Sequence, residues 1–194
     1  MKTFLIFLLI TINFYSCKKD DSGIIFLLPP KTQTGQNTLG FMLGISVWTN
    51  YGIVCFPFAG GCSDNIKAYY YNDGDITVQA DRVLYKNGSR NTTETIDLYL
   101  TTNFRGLVNY STSTNDTIGV FYSLSEINKP EKNYVLSVTN PNFAIRLTKI
   151  DTTNKILSGE FFGTLFNKAL DTTNAISMTD SITIKDGRFD IKMK

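Results

Sequence analysis

The chain predicts an antiparallel all-β domain, and three observations carry the prediction. Phe, Tyr, Ile, Val and Thr are abundant, and Gly, Asn and Asp cut their runs. Asn-Gly and Asp-Gly steps recur between the runs and supply the positive φ of tight hairpin turns. No window sustains a helical period.

The candidate strands are, in order, Gly40–Thr49, Ile66–Tyr71, Asp75–Lys86, Thr95–Thr102, Gly119–Ser123, Tyr134–Val138, Phe143–Asp151, Ile156–Asn167, Ser181–Lys185 and Arg188–Met193. Alternation in Ile76-Thr-Val-Gln-Ala80, Ile96-Asp-Leu-Tyr-Leu100 and Ile182-Thr-Ile-Lys185 makes these strands bury one face. Asn72-Asp73-Gly74, Lys86-Asn87-Gly88 and Lys185-Asp186-Gly187 are the expected turns, and Ile150–Ile156 a hairpin connection. Ser158-Gly159 inside a strand predicts a bulge or a close backbone approach. Leu124–Lys129 is read as one short helical turn at most. Asp151-Thr-Thr-Asn154 and Asp171-Thr-Thr-Asn174 echo each other as two loop tips, too few for a repeat architecture. The fold is expected to be a single antiparallel β-sandwich, with a lipocalin-like β-barrel as the alternative.

Ahead of the strands stands a different composition. Lys2 precedes an apolar run from Phe4 to Tyr15, which ends at Ser16-Cys17. A membrane-spanning helix needs about 20 apolar residues, so this shorter run reads as a signal peptide. Ser16-Cys17 resembles the lipobox of bacterial lipoproteins, although Phe14 and Tyr15 stand where the common pattern has Leu and a small residue. The resemblance implies acylation of Cys17 with palmitate-type chains and cleavage before it. The alternative is a secretory signal that leaves Cys17 a plain thiol. Cys17-Lys18-Lys19-Asp20-Asp21 resembles the export signal of Bacteroidota lipoproteins, a cysteine, any residue, a lysine and two acids. That implies the outer face of the outer membrane, with Lys19, Asp20 and Asp21 as the signal. The alternatives are a solvated charged linker and a periplasm-facing anchor. The expected organisation is signal peptide 1–16, lipidated tether and lead-in 17–38, and all-β domain 39–194. Ile24–Leu28 is expected to dock on that domain, since an exposed apolar run invites aggregation.

Composition then excludes several activities. Cleavage removes Lys2 alone among the charged residues, leaving 18 basic against 17 acidic residues. Without a basic cluster, nucleic acid is not an expected partner. The chain has no histidine, so Ser-His and Cys-His nucleophile pairs are out of reach. Cys55 and Cys62 are the remaining thiols, too few for a zinc site without histidine. In an exported chain this even pair reads as a disulfide, with Pro57 and Gly60-Gly61 turning the loop; two separate buried thiols are the alternative. No phosphate loop or dinucleotide fingerprint occurs, and no cofactor is expected.

Carboxylates leave one route to catalysis, a glycoside hydrolase with two acids facing one cleft. Glu94, Glu126, Glu131 and Glu160 are the glutamates, and Glu160 is the one placed to point inward from a strand. Asp64-Asn65 and Asn72-Asp73-Gly74-Asp75 carry oxygen ligands but lack the twelve-residue calcium pattern, so they read as turns and no metal is expected. Aromatics give the best lead for binding. Trp48, Tyr51, Tyr69 and Tyr71 form a candidate ligand platform, with Phe56 and Phe58 near it, and Tyr69 and Tyr71 share a strand face. The alternative for these rings is core and edge packing. Thr117, Thr152, Thr172 and Ser181 follow aspartates in triplets that resemble the Bacteroidota O-glycosylation motif.

The two ends of the mature chain carry a longer likeness. Arg146–Phe162 (RLTKIDTTNKILSGEFF), Ile182–Asp190 (ITIKDGRFD) and Leu28–Gly40 (LPPKTQTGQNTLG) resemble a set of uncharacterised Bacteroidota lipoproteins sharing a C-terminal β-rich domain of unknown function. Many members carry a cysteine where this chain has Phe41. The resemblance implies a cell-envelope location and no assigned catalysis. The expected function is therefore a surface lipoprotein whose non-catalytic domain binds a glycan or an envelope protein. A structural envelope component and a carboxylate-based hydrolase are the alternatives.

Overall fold

The computed structural model describes residues 20–56, 61–102, 107, 109–111, 117–136, 142–168 and 176–194. Cys17, Lys19 and Thr172 lie outside them, as do Phe58 and the tip of the Cys55–Cys62 loop. The strands are β1 Thr38–Leu43, β2 Ser46–Thr49, β3 Val54–Phe56, β4 Gly61–Ser63, β5 Ile66–Tyr70, β6 Ile76–Lys86, β7 Ser89–Leu100, β8 Asn109–Ser111, β9 Ile118–Glu126, β10 Lys132–Val135, β11 Asn142–Asp151, β12 Ile156–Lys168 and β13 Ile176–Lys192. No helix occurs among the described residues, and the expected all-β class holds.

Eleven strands form one antiparallel sheet in the order β2-β1-β13-β12-β10-β9-β7-β6-β5, with β11 branching from β12 and β8 pairing β11; β3 and β4 form a separate ribbon. The sheet curls into a half-barrel. Lys194 N–H donates to Ala68 C=O at 3.1 Å, so the chain's end beyond β13 meets β5. Tyr51, just past β2, is hydrogen-bonded on both sides to β6, through Asp81 C=O at 3.1 Å and Val83 N–H at 2.9 Å. The inward faces merge into one core that runs from Leu39 to Met193. Phe41 stacks on Trp48 at 4.8 Å, and Phe161 lies edge-on to Phe41 at 5.9 Å.

Antiparallel pairing fixes which turns share an end. The β1–β2, β9–β10 and β6–β7 turns lie at one end, with the close of β12. The β5–β6 and β11–β12 turns lie at the other. The chain enters at the first end. Asp21 N–H donates to Tyr85 C=O, and Tyr85 N–H returns a bond to the Asp21 carboxylate, both at 2.9 Å.

From Asp21 the lead-in is part of the domain. Phe26 packs edge-on against Tyr51 at 5.3 Å. Pro29 occupies the space that a side chain at Gly40 would fill, with its Cδ only 2.5 Å from an ideal Cβ position there. Docking alternates, however. Phe26 and Leu28 turn toward the domain, while Ile25 is 86% and Leu27 79% exposed. The expectation that the whole apolar run docks is corrected: an extended segment can press only one of its two faces on a sheet.

Three further local expectations are corrected. Gly40–Thr49 is two strands, because Gly44 at φ +63° turns the chain before Ile45. Asp186-Gly187 is a bulge inside β13, not a hairpin; register shifts there against both β1 and β12. The same positive φ serves turns and bulges, and here paired strands on both sides keep the chain straight. Leu124–Lys129 continues β9 to Glu126 and closes in a turn, Lys129 N–H donating to Glu126 C=O at 3.2 Å. Asn87-Gly88 at φ +53° and +83° is the expected tight turn. Opposite Ser158-Gly159, Thr148 bulges from β11, and a Cβ on Gly159 would meet the Phe189 ring at 2.5 Å. The close approach expected at that pair holds, with Arg146 C=O 2.9 Å from the same Cβ position, whereas the bulge lies on the facing strand.

Candidate functional site

Alternation along β5 directs Tyr70 toward the core and sets Tyr69 and Tyr71 on the outer face. Their rings lie 6.1 Å apart at 24°, and Tyr71 is 46% exposed. The register Tyr69–Thr77–Tyr99 carries the row across β6 to β7, where Tyr99 is also exposed. Lys67, Gln79 and Asp97 form the next row. Tyr99 donates to the Asp75 carboxylate and accepts from Thr101 Oγ1 at 3.3 Å. The bond to Asp75 raises its phenol above the ordinary range. Gly119 leaves room for this ring, whose Cβ and Cδ1 lie 3.4 and 3.7 Å from an ideal Cβ there. Burial, and then repulsion from Asp81, push Asp97 up to about 6. The result is an open shelf of aromatic rings beside amide, hydroxyl and carboxylate groups.

Two of the four expected platform residues stand elsewhere. Trp48 is fully buried, its indole sandwiched by Phe41 and the Arg82 guanidinium, so it belongs to the core. Residues on both sides of β2 are apolar, and pairing with β1 decides that Trp48 faces inward. Tyr51 is half-buried against Phe26 and donates to Asp21 Oδ1 at 3.3 Å, where it holds the lead-in. Tyr99 was absent from the sequence-derived platform, since its neighbourhood with Tyr69 exists only through the three-strand register.

The glutamates do not gather on the shelf. Glu94 faces the core and takes Arg82 Nε–H at 2.7 Å. Burial outweighs the nearby Arg82 and raises its carboxyl. Burial, with Glu94 adding to it, raises the Tyr122 phenol as well. Glu160, expected as the inward candidate, faces outward and pairs with Lys31 at 2.7 Å. Glu126 pairs with Lys129 across its turn at 2.6 Å, and Glu131 is exposed. Asp73 accepts from Asp75 N–H at 3.0 Å as a turn, and Asp64 pairs with Lys194 at 2.8 Å. No group of three metal-ligating side chains occurs among the described residues.

The remaining candidates fall on several surfaces. Cys55 and Cys62 face each other in the β3–β4 register. Asp20 is exposed and accepts from Ser22 N–H at 2.9 Å, whereas Asp21 is only 7% exposed. Thr117, Thr152 and Ser181 are exposed.

Sequence reasoning missed the role of Asp190. Its buried carboxylate accepts from Thr32 Oγ1 (2.6 Å), Thr34 N–H (3.0 Å), Gly35 N–H (2.9 Å), Gln36 N–H (3.3 Å) and Ser158 Oγ (2.8 Å). Burial alone would raise this carboxyl; the hydrogen bonds reverse that and hold it at about 2. Gly35 at φ +75° turns the N–H groups inward. Thus the polar stretch 31–38 and the Arg-Phe-Asp190 stretch form one clamp. Compared with known proteins, the chain matches no family model, no curated relative and no solved structure.

Proposed function

We propose that this chain is an outer-membrane lipoprotein of the uncharacterised Bacteroidota group that its two ends resemble, exposed on the cell surface, and that its domain binds a glycan or an envelope partner without catalysis. Acylated Cys17 is the anchor, and Lys19 with Asp20 and Asp21 the export signal. The observation that carries the binding reading is the Tyr69–Tyr71 stack, extended by Tyr99 on one open face. Aromatic faces stack on the C–H faces of sugar rings, and Gln79, Thr77 and Asp97 offer hydrogen bonds to hydroxyls. The direct opposition of Cys55 and Cys62 supports a disulfide that braces the β3–β4 ribbon.

Glycan-array binding of the purified protein, beside Tyr71→Ala and Tyr99→Phe, tests the shelf. Binding that Tyr71→Ala abolishes supports it; binding unchanged in both variants, or none at all, overturns it. Protease shaving of intact cells tests the address: survival of the protein would remove the surface assignment. Two free thiols per unreduced chain would remove the disulfide.

A further inference from the structure

We infer that the end of the domain bearing the β1–β2, β6–β7 and β9–β10 turns lies on the bilayer and dips exposed isoleucines into its interface. The inference rests on the proposed anchor at Cys17. Its geometry rests on where the chain enters the fold.

Asp21 is pinned to Tyr85, one residue before the close of β6, by one backbone bond and one from Tyr85 N–H to the Asp21 carboxylate. Only four peptide steps separate it from Cys17, a reach of at most about 14 Å when fully extended. A lipid on Cys17 therefore holds this end of the curl within that distance of the headgroups. The opposite turns, at Asn72–Gly74 and Thr152–Asn154, stand away from it.

The side chains at the near end suit such a surface. Ile25 is 86%, Ile45 97% and Ile127 53% exposed. Ile45 is the tip of the β1–β2 turn. Ile127 follows β9, and its N–H donates to Asn91 C=O at 3.0 Å, beside the start of β7. Strand direction sets Ile45 toward the same end: β1 and β12 both run antiparallel to β13 between them, so the β1–β2 turn opens the way β12 closes. Exposed Lys86 and Lys129 accompany the isoleucines and suit the anionic side of an interface. These three branched aliphatic side chains are held out in water, which is a poor solvent for them. A bilayer held there by the anchor would cover all three. Added to acyl chains, this contact would fix the tilt of the domain and so the direction in which the tyrosine shelf faces.

The test uses the full protein purified from its membranes and reconstituted into phosphatidylethanolamine–phosphatidylglycerol vesicles carrying brominated acyl chains. Single variants Ile25→Trp, Ile45→Trp and Ile127→Trp report the near end, and Asn72→Trp and Asn154→Trp the far end; buried Trp48 contributes a constant background. Bromine should quench the three near-end reporters severalfold more than the two far-end ones. Equal quenching at both ends, on protein whose intact mass includes acyl chains, overturns the orientation alone. An intact mass without acyl chains overturns the anchor, and the orientation with it.

Discussion

Glu94 inside the curl and Asp190 in the lead-in clamp are both buried carboxylates, yet their acidities move in opposite directions. Glu94 has Arg82 as its charged partner, and the Trp48 and Tyr122 side chains also favour its ionised form. Its desolvation is not fully offset. On Asp190, five neutral N–H and O–H donors converge. The contrast is one of balance: the converging hydrogen bonds outweigh desolvation at Asp190, whereas at Glu94 desolvation outweighs its partners. It also separates two jobs: the first pair fills the core, and the second joins the ends of the chain.

The largest effect should come from breaking the weaker arrangement on one side. Glu94→Ala leaves Arg82 buried without a counter-charge and is expected to cost about 3–5 kcal/mol in urea unfolding. Arg82→Met with Glu94→Leu should fold with stability near the parent, because an apolar pair fills the same space. If the double variant is as unstable as the single, the pair stabilises more than this comparison allows.

Next comes the clamp. Asp190→Asn keeps the shape but turns an NH₂ group toward N–H donors, at an expected cost of about 2–3 kcal/mol. The same carboxylate sets an acid limit. Its folded value of about 2 lies below the reference of 3.8, so its contribution is complete above pH about 4 and is lost as pH falls toward 2. Denaturant midpoints measured across that window should fall for the parent and change less for Asp190→Asn.

The smallest expected effect is on the shelf. Asp97 is raised to about 6 from 3.8, so its ionisation opposes folding, and stability should rise as pH drops from 7 toward 4. Asp97→Asn should remove that slope and raise Tm at pH 7 by about 1–3 °C. A melting temperature that does not change would mean that Asp97 is better solvated than its place beside Asp81 implies.

How much of this was legible in the sequence depends on range. Asn87-Gly88 and the Asp151–Lys155 turn were legible because a tight turn is written in adjacent residues. Asp186-Gly187 was written in the same way and became a bulge, since the deciding partners, β1 and β12, lie far off in sequence. Tyr69 and Tyr71 could be paired by alternation alone; adding Tyr99 and removing Trp48 required strand order. The Asp190 clamp joins residues 154–158 positions apart, and no local pattern predicts which carboxylate a loop of N–H groups will meet.

The Asp21–Tyr85 attachment has a mechanical meaning. Under the proposed anchor at Cys17, tension arriving along the tether would reach these few bonds before the Asp190 clamp. Shear in the surrounding medium would peel residues 21–31 from the curl first and pay out roughly 35 Å of slack at full extension. The sheet behind the clamp would stay closed. With that anchor, the attachment would serve as a sacrificial link, a short length of chain that yields so that the folded body and its tyrosine face do not.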